Sequence, residues 1–320
     1  MGKKKAKSAI LSALRDACAN EGKAVAFLEH QRWGDSPFCP RCGIVGEVYQ
    51  MTDRETKERN KDYRWRCKSC KKMYSVRTGT IFEESRLPLR VWVYAFWKAC
   101  SSKKGISALQ LCREMEITHK SALFVLRRIR HGLGDQPGPM LSGTVEVDET
   151  YHGGKPRYRG QIKKGRRTRK TPVIGMLERG GRLRLQVMKR VTAKGLRSAI
   201  AKYVVRSARL MTDDFNLYRT AGREFKGGHF TVNHSARQYV KPGTDIHSNS
   251  IEGAFSLFKR GVMGTWHSIS TKHLPNYLNE FEFRHNTRWD DDGERTAKAI
   301  RAADGKRLTY RDSVDRPQSA

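Results

Sequence analysis

The sequence lacks long hydrophobic runs and is poor in acidic side chains. A helix that spans a membrane needs about 20 apolar residues, and no segment approaches that length, so we expect no transmembrane segment. The stretch Ala9–Ala17 contains Ser12, Arg15 and Asp16, which makes it too polar for the core of a signal peptide. The 320 residues include 64 Lys and Arg against 32 Asp and Glu, a formal net charge of +32. Such a chain repels itself unless a polyanion neutralises it, so we expect a nucleic acid partner.

Cysteine is also scarce, and its odd total of seven argues against a disulfide framework. We therefore expect a protein of the reducing cytoplasm that associates with the nucleoid. Four cysteines form two C-x-x-C pairs, Cys39 with Cys42 and Cys67 with Cys70. Two such pairs can place four thiolates tetrahedrally around one ion, which is the geometry of a structural Zn²⁺ site. Iron in the same four-thiolate shell is the alternative.

Short alternating runs around these cysteines predict the β-strands of a zinc ribbon. Glu47–Met51 and Tyr63–Arg66 have the pattern of a hairpin, and the β-like pattern continues in Tyr74, Ser75, Val76 and Thr80–Phe82. Basic side chains surround the second cysteine pair, and they fit a solvated face as well as they fit DNA contact.

From Pro88 the apolar period changes to 3.6, which predicts helices. Two of them, 106–115 and 119–130, are joined by about three residues and resemble a helix-turn-helix, a motif that reads the DNA major groove. An ordinary helical hairpin is the alternative. In the helix 119–130 the apolar side chains form one stripe, and the pattern predicts that Arg127, Arg128 and Arg130 lie on the outside.

The composition divides the chain into several domains, with a Gly- and Pro-rich linker between its two main parts. We predict a multidomain α+β and α/β protein with a basic N-terminal arm and helix (1–30), a zinc ribbon (31–85), a helix-turn-helix-like DNA-binding module (86–133), a linker (134–142), a ribonuclease-H-like mixed-sheet catalytic domain (143–290) and a polar C-terminal tail (291–320).

The second part carries acids in apolar strand contexts. Thr144–Tyr151 alternates as a strand does, so Glu146 and Asp148 share one face. After this first strand, further strands are predicted at 171–177, 182–191, 209–213 and 229–232, and helices at 192–205 (with Thr192 as its N-cap), 216–225 and 249–260. This order of three strands, helix, strand, helix, strand and helix matches a ribonuclease-H-like core. In that fold, acids on the first strand, the fourth strand and a late helix converge, which places Asp148, Asp213 and Glu252 together. Such carboxylates can hold two Mg²⁺ ions for phosphoryl transfer.

Three strings carry a resemblance to a known family. Val145–Gly154 looks like the first-acid motif of insertion-sequence DDE transposases of the ISXO-like group. Met211–Asp213, with Tyr218 five residues on, looks like their second-acid motif. His247–Arg260, with its continuation through Asn286, resembles the third-acid helix and its signature tail. The preceding zinc ribbon also matches this family.

The resemblance implies cut-and-join DNA transposition, with Asp148, Asp213 and Glu252 as catalytic acids that hold Mg or Mn, two ions in number. Members of the group differ over whether the third position is Asn or Glu, so Asn249 is a further candidate, although Glu is the better metal ligand by charge. Other neighbouring acids stay open as alternatives, namely Glu146 and Glu149 for Asp148, and Asp214 for Asp213. Of these, Glu149 is predicted to point to the opposite face of the strand.

Basic side chains near these acids are predicted to bind DNA. The segment 155–170 has nine Lys or Arg in 16 residues, which fits a DNA clamp or a solvated hairpin. On the third-acid helix, Lys259 lies about two turns after Glu252 and would contact a phosphate. The proposed DNA-binding residues are Lys155, Arg157, Lys163, Lys164, Arg166, Arg167, Lys259 and Arg260. Trp266, His267 and His273 are candidates for stacking on a DNA end, and core packing fits Trp266 equally well.

The leading hypothesis is therefore a transposase that binds double-stranded DNA, both the inverted-repeat ends of its element and target DNA. It would contain one structural zinc and would act as a homo-oligomer on DNA. Two alternatives remain at this point. A zinc-ribbon DNA-binding regulator needs no catalytic acids, and a ribonuclease-H-like nuclease would cut DNA without joining it.

Overall fold

The computed structural model describes residues 9–134, 136, 138–153, 170–233 and 240–309. These residues fall into two compact units, one formed by 9–134 with 287–309 and the other by 136–286. Among the described helices, none combines the length and the apolar character needed to cross a membrane.

The elements occur in the order α1 (Ala9–Ala19), α2 (Glu21–Trp33), β1 (Val48–Gln50), β2 (Trp65–Cys67), β3 (Met73–Tyr74), α3 (Leu89–Ser101), α4 (Ala108–Met115), α5 (His119–Gly132), β4 (Thr144–His152), β5 (Thr171–Glu178), β6 (Leu183–Val187), α6 (Ala193–Tyr203), β7 (Arg209–Asp213), α7 (Tyr218–Gly222), β8 (His229–Val232), α8 (Asn249–Gly261), a π-helical turn (Val262–Trp266), α9 (Leu274–Asn286) and α10 (Asp292–Ala302).

The ribbon of the first unit is a small antiparallel sheet in the order β1-β2-β3. The predicted hairpin forms, and Tyr74 lies in β3 as predicted. The β-like prediction is wrong for Ile81 and Phe82, which lie in turns, and Thr80 forms only an isolated bridge with Asp304. The Thr80 hydroxyl donates to the Arg77 carbonyl (2.7 Å) and accepts the Phe82 N–H (3.2 Å), which folds this segment into turns. Local side-chain bonds of this kind compete with strand pairing.

Helices α4 and α5 follow the helix-turn-helix-like pattern. Glu116 ends α4 in the left-handed region at φ 53°, and Thr118 caps α5 by accepting the Ser121 N–H at 3.2 Å. The prediction that all three arginines of α5 face outward is wrong. Arg128 and Arg130 are buried, and Arg128 donates to the carbonyls of Ile81 (2.7 Å) and Glu83 (2.8 Å). Tertiary acceptors override the helical pattern here.

The prediction of a polar tail from residue 291 is also wrong where the structure describes it. Helix α10 packs on α1, α2 and α3 of the first unit. Its inner face buries Thr296, Ala297, Ala299 and Ile300, and Asp291 caps it by accepting the N–H of Glu294 at 3.1 Å. The apolar face of α10 is narrow and consists mostly of small residues, so the segment as a whole has a polar composition.

The second unit contains one sheet of five described strands in the order β6-β5-β4-β7-β8. Strands β4, β5 and β6 pair antiparallel, whereas β7 and β8 run parallel to β4. One face of the sheet packs on α6 and α7, and the other packs on α8 and α9. This mixed order has the ribonuclease-H-like arrangement, and the predicted fold class is confirmed.

Candidate active site and zinc site

Four cysteines of the ribbon form a compact cluster. Their sulfurs all lie within 4.8 Å of one another, with Cys39 to Cys70 at 3.7 Å and Cys42 to Cys67 at 3.8 Å. A tetrahedral shell with Zn–S bonds of about 2.3 Å has S–S edges of about 3.8 Å. The cluster therefore fits one Zn²⁺ ion, as the sequence predicts.

Aromatic packing holds the second cysteine pair against helix α2. Trp33 makes edge-to-face contacts with Trp65 and Tyr74, whose ring centroids lie at 5.5 and 5.9 Å. The indole N–H of Trp65 donates to Glu29 at 2.8 Å. Because Trp65 lies two residues before Cys67, this packing positions the ribbon strand that leads into the zinc cluster.

The three predicted catalytic acids occupy neighbouring elements of the second unit. Asp148 lies on the central strand β4, and Asp213 ends the parallel neighbour β7. Glu252 lies in the first turn of α8, which packs on β4 and β5. All three side chains are partly buried.

A glycine allows α8 to approach the sheet beside Asp148. Gly175 of β5 is the antiparallel partner of Asp148. A Cβ atom at this position would lie 2.6 Å from Phe255 Cζ and 2.8 Å from Ile251 Cδ1, so any other residue would force these two side chains of α8 to shift. The sequence gives no sign that this glycine serves close packing rather than flexibility.

The acids interact electrostatically. Burial raises the pKa of Asp148 to about 7, and the charges of Glu149, Asp213 and Glu252 act in the same direction. The N–H of Glu149 donates to Asp148 Oδ1 at 2.8 Å and partly offsets this rise in pKa. Like charges that meet in a partly buried site are costly unless a cation neutralises them.

A divalent cation fits this donor set. Carboxylate oxygens are the ligands that Mg²⁺ and Mn²⁺ prefer, and Mg²⁺ commonly takes only one or two from protein while keeping waters or substrate oxygens. Within the described part of the chain, only the four cysteines bring three or more ligand atoms all within 4.8 Å of one another. The three acids do not meet this criterion, so their carboxylates form no closed cage in this arrangement.

The alternative acids take other positions. Asp214 is exposed, whereas Asp213 is partly buried and accepts the Phe215 N–H at 3.2 Å. Glu149 points to the opposite face, as predicted, where it accepts a hydrogen bond from the Tyr218 hydroxyl. Asn249 is exposed at the first position of α8.

Glu146 is the acid that sequence reasoning misjudged. It shares a face with Asp148, but it is fully buried, and its carboxylate accepts hydrogen bonds from Arg179 and the start of α8, with His247 Nδ1 3.2 Å from Oε1. Sequence reasoning also missed Arg179, because its sequence context is an ordinary turn before two glycines.

The proposed DNA-binding residues are only partly described. Lys259 and Arg260 are exposed on α8. The others lie outside the described residues, and these are Lys155, Arg157, Lys163, Lys164, Arg166 and Arg167. Trp266 packs against Tyr277 (4.9 Å between ring centroids) and Phe258 (6.2 Å between ring centroids). The structure therefore supports core packing for Trp266.

Comparison with known proteins identifies both parts of the chain. Residues 140–286 match the ISXO2-like transposase domain, and residues 19–73 match the transposase zinc-ribbon domain. A protein from transposable element ISH50 of Halobacterium salinarum is 28% identical over 278 residues, which cover 83% of this chain and 90% of that relative. The solved Mos1 strand transfer complex is similar over 63% of this chain and 75% of that chain, at 14% identity and a TM-score of 0.28, a likeness too weak to carry an argument.

Proposed function

The chain belongs to the ISXO2-like insertion-sequence transposases with an N-terminal zinc ribbon, and from this we propose that it cleaves DNA at the ends of its element and joins them to target DNA. The observation that carries this proposal is the placement of Asp148 on β4, Asp213 at the end of the parallel neighbour β7 and Glu252 in the first turn of α8, with burial and the charges of the two other acids raising the pKa of Asp148 to about 7.

We assign the metal ligands to these three residues. A bound pair of Mg²⁺ or Mn²⁺ ions would supply charge neutralisation and orient the attacking and leaving oxygens. The protein's own contribution is to hold the three carboxylates on adjacent elements. Exposed Lys259 and Arg260, on the helix that carries Glu252, would attract the DNA phosphates. The basic residues of segment 155–170 that lie outside the described residues are proposed to extend this surface.

The first unit would recognise the DNA ends. We assign this role to the zinc ribbon and to the α4–α5 pair. His119 and Lys120 are exposed at the start of α5, the end of the helix that would contact DNA. The element has two ends, and two copies of the chain would supply one active site for each end, so we propose a homo-oligomer on paired DNA ends. The expected location is the cytoplasm, at the nucleoid.

Paired substitutions test the acids. In an assay with a linear DNA end and Mn²⁺ or Mg²⁺, we expect Asp148→Asn, Asp213→Asn and Glu252→Gln to bind DNA but to lose cleavage and joining. Asp214→Asn and Asn249→Ala are the matched neighbours and should keep both reactions. Loss in Asn249→Ala with retention in Glu252→Gln would transfer the third position to Asn249.

The same assay separates the alternatives. A pre-cleaved end should be joined to target DNA by the wild-type protein. Cleavage without any joined product would indicate a nuclease. Full retention of both reactions in Asp148→Asn and Asp213→Asn would refute the catalytic assignment, and DNA binding without any wild-type cleavage would favour a regulator.

A further inference from the structure

Strand β4 carries a second acid on the Asp148 face, Glu146, whose side chain is completely buried. A buried carboxylate is unfavourable unless hydrogen bonds and a counter-charge compensate its lost hydration. The contacts of Glu146 therefore indicate which segments of the protein it stabilises.

The carboxylate of Glu146 accepts hydrogen bonds from the first turn of α8. Oε2 accepts the N–H of Ser250 at 2.8 Å and of Ile251 at 3.0 Å, and Oε1 accepts the Ser250 hydroxyl at 3.0 Å. The first N–H groups of a helix have no partner within it, and an anion there is favourable. The residue before the helix, Ser248, makes no side-chain cap. Glu146 thus caps α8 from a different element.

Arg179 ties the same carboxylate to the segment that leads into α8. Its Nε donates to Glu146 Oε1 at 2.7 Å, and its two other nitrogens donate to the carbonyls of Asp245 (2.7 Å) and His247 (2.9 Å). Arg209, at the start of β7, pairs with the Asp245 carboxylate at 2.8 and 3.0 Å. The segment that leads into α8 is therefore bonded to β7 through Arg209 and linked to Glu146 of β4 through Arg179.

These contacts join the two elements that carry two of the proposed metal ligands, β4 and α8. Glu146 is two residues before Asp148 on the same strand face, and Ile251 directly precedes Glu252. Because Asp148 and Glu252 repel each other, their own charges cannot hold them together. We propose that Glu146, with Arg179, is a positioning residue that fixes the first turn of α8 on β4 and so sets the separation of Asp148 and Glu252. This inference rests on the proposed function.

The test compares Glu146→Gln and Arg179→Lys with a matched control in the zinc-loaded full chain. Glutamine removes the charge and one of the two acceptor oxygens, and lysine loses the fork that reaches Asp245 and His247. Glu282→Gln is the control, because Glu282 is a half-buried carboxylate that also accepts from an arginine and a backbone N–H, Arg184 (2.7 Å) and Leu185 (2.9 Å). It lies on α9 and contacts neither α8 nor the acids in these bonds.

Binding of Mn²⁺ to the DNA-free protein, measured from the electron paramagnetic resonance signal of the free ion, is the main readout. We expect both Glu146→Gln and Arg179→Lys to raise the Mn²⁺ dissociation constant about 10- to 100-fold, the usual effect of losing a group that orients metal ligands. The Mn²⁺ concentration that half-saturates DNA cleavage should rise in proportion. Glu282→Gln should lower thermal stability without either change.

The outcomes separate the two levels of the argument. Wild-type Mn²⁺ affinity in either folded variant overturns the positioning role, even if thermal stability falls. Unchanged cleavage in Asp148→Asn and Glu252→Gln overturns the proposed function instead. Weaker Mn²⁺ binding in both variants, beside an unaffected Glu282→Gln, supports the positioning role.

Discussion

The hydroxyl of Tyr218 donates a hydrogen bond to the carboxylate of Glu149 on the side of the sheet opposite Asp148. Tyr218 is completely buried at the start of α7, in the core between the sheet and α6. Burial raises the pKa of Glu149, and the Tyr218 hydrogen bond acts against that rise. The tyrosine of the second-acid motif therefore supports an acid of the first-acid motif, next to Asp148.

Removing this hydroxyl should destabilise the second unit. We expect Tyr218→Phe to lower the free energy of unfolding by about 1–3 kcal/mol, because it leaves a partly buried carboxylate without its donor. Urea denaturation of Tyr218→Phe, Glu149→Gln and the double variant measures the coupling. Additive effects would show that the two groups do not stabilise each other.

Gly175→Ala should separate α8 from the sheet. The added methyl group would overlap Phe255 and Ile251, and overpacking of this kind lowers stability by about 1–3 kcal/mol. Because α8 carries Glu252, metal-dependent cleavage should fall while DNA binding persists. Denaturation, cleavage and gel-shift measurements on one preparation check all three expectations.

Gly253→Ala is the matched control for that substitution. Gly253 is exposed on α8, and a Cβ there would meet no atom within 4 Å. Alanine within a helix should increase stability by about 0.5–1 kcal/mol. Equal loss of stability in both variants would contradict the close-packing role of Gly175.

The cysteine cluster should account for all the bound zinc. We expect elemental analysis to find about one zinc per chain, and Cys39→Ser or Cys67→Ser to reduce it to near zero, because a structural site needs its four thiolates. Binding to DNA ends should fall with the metal. Cys112→Ser, in α4 and outside the cluster, should retain zinc, and iron in place of zinc in the wild-type protein would contradict the assignment.

Arg128 and Lys120 of α5 should separate stability from DNA binding. Arg128→Leu leaves the Ile81 and Glu83 carbonyls without their donor and should lower the free energy of unfolding by about 1–3 kcal/mol. Lys120 is exposed, so Lys120→Ala should leave unfolding unchanged within about 0.5 kcal/mol.

The DNA affinity of Lys120→Ala should nevertheless fall, with a slope against salt concentration smaller by about 1, as expected for one lost phosphate contact. Fluorescence anisotropy over a salt series measures this slope. An unchanged slope would remove the start of α5 from the DNA interface.

Local patterns predicted much of the fold. The strands Arg209–Asp213 and His229–Val232 have the predicted bounds, and Thr192 caps α6 as expected by accepting the Gly195 N–H at 3.1 Å. These features depend on alternation and capping, which act within a few residues. Helix α9 was not predicted, because its residues were considered only as part of the signature tail that follows the third-acid helix.

The sequence by itself was sufficient to predict the zinc ligands and the three candidate acids, because ligand type, C-x-x-C spacing and strand alternation are local properties. Only the tertiary structure decided which charged residues are buried and what they bind. Glu146 could have been a metal ligand by its strand face, but Arg179 and the start of α8 take its oxygens. Arg128 is likewise buried, and the carbonyls that accept its hydrogen bonds belong to residues more than 40 positions away in the sequence. Burial of a charge depends on partners that distant segments bring to it, and no local pattern contains that information.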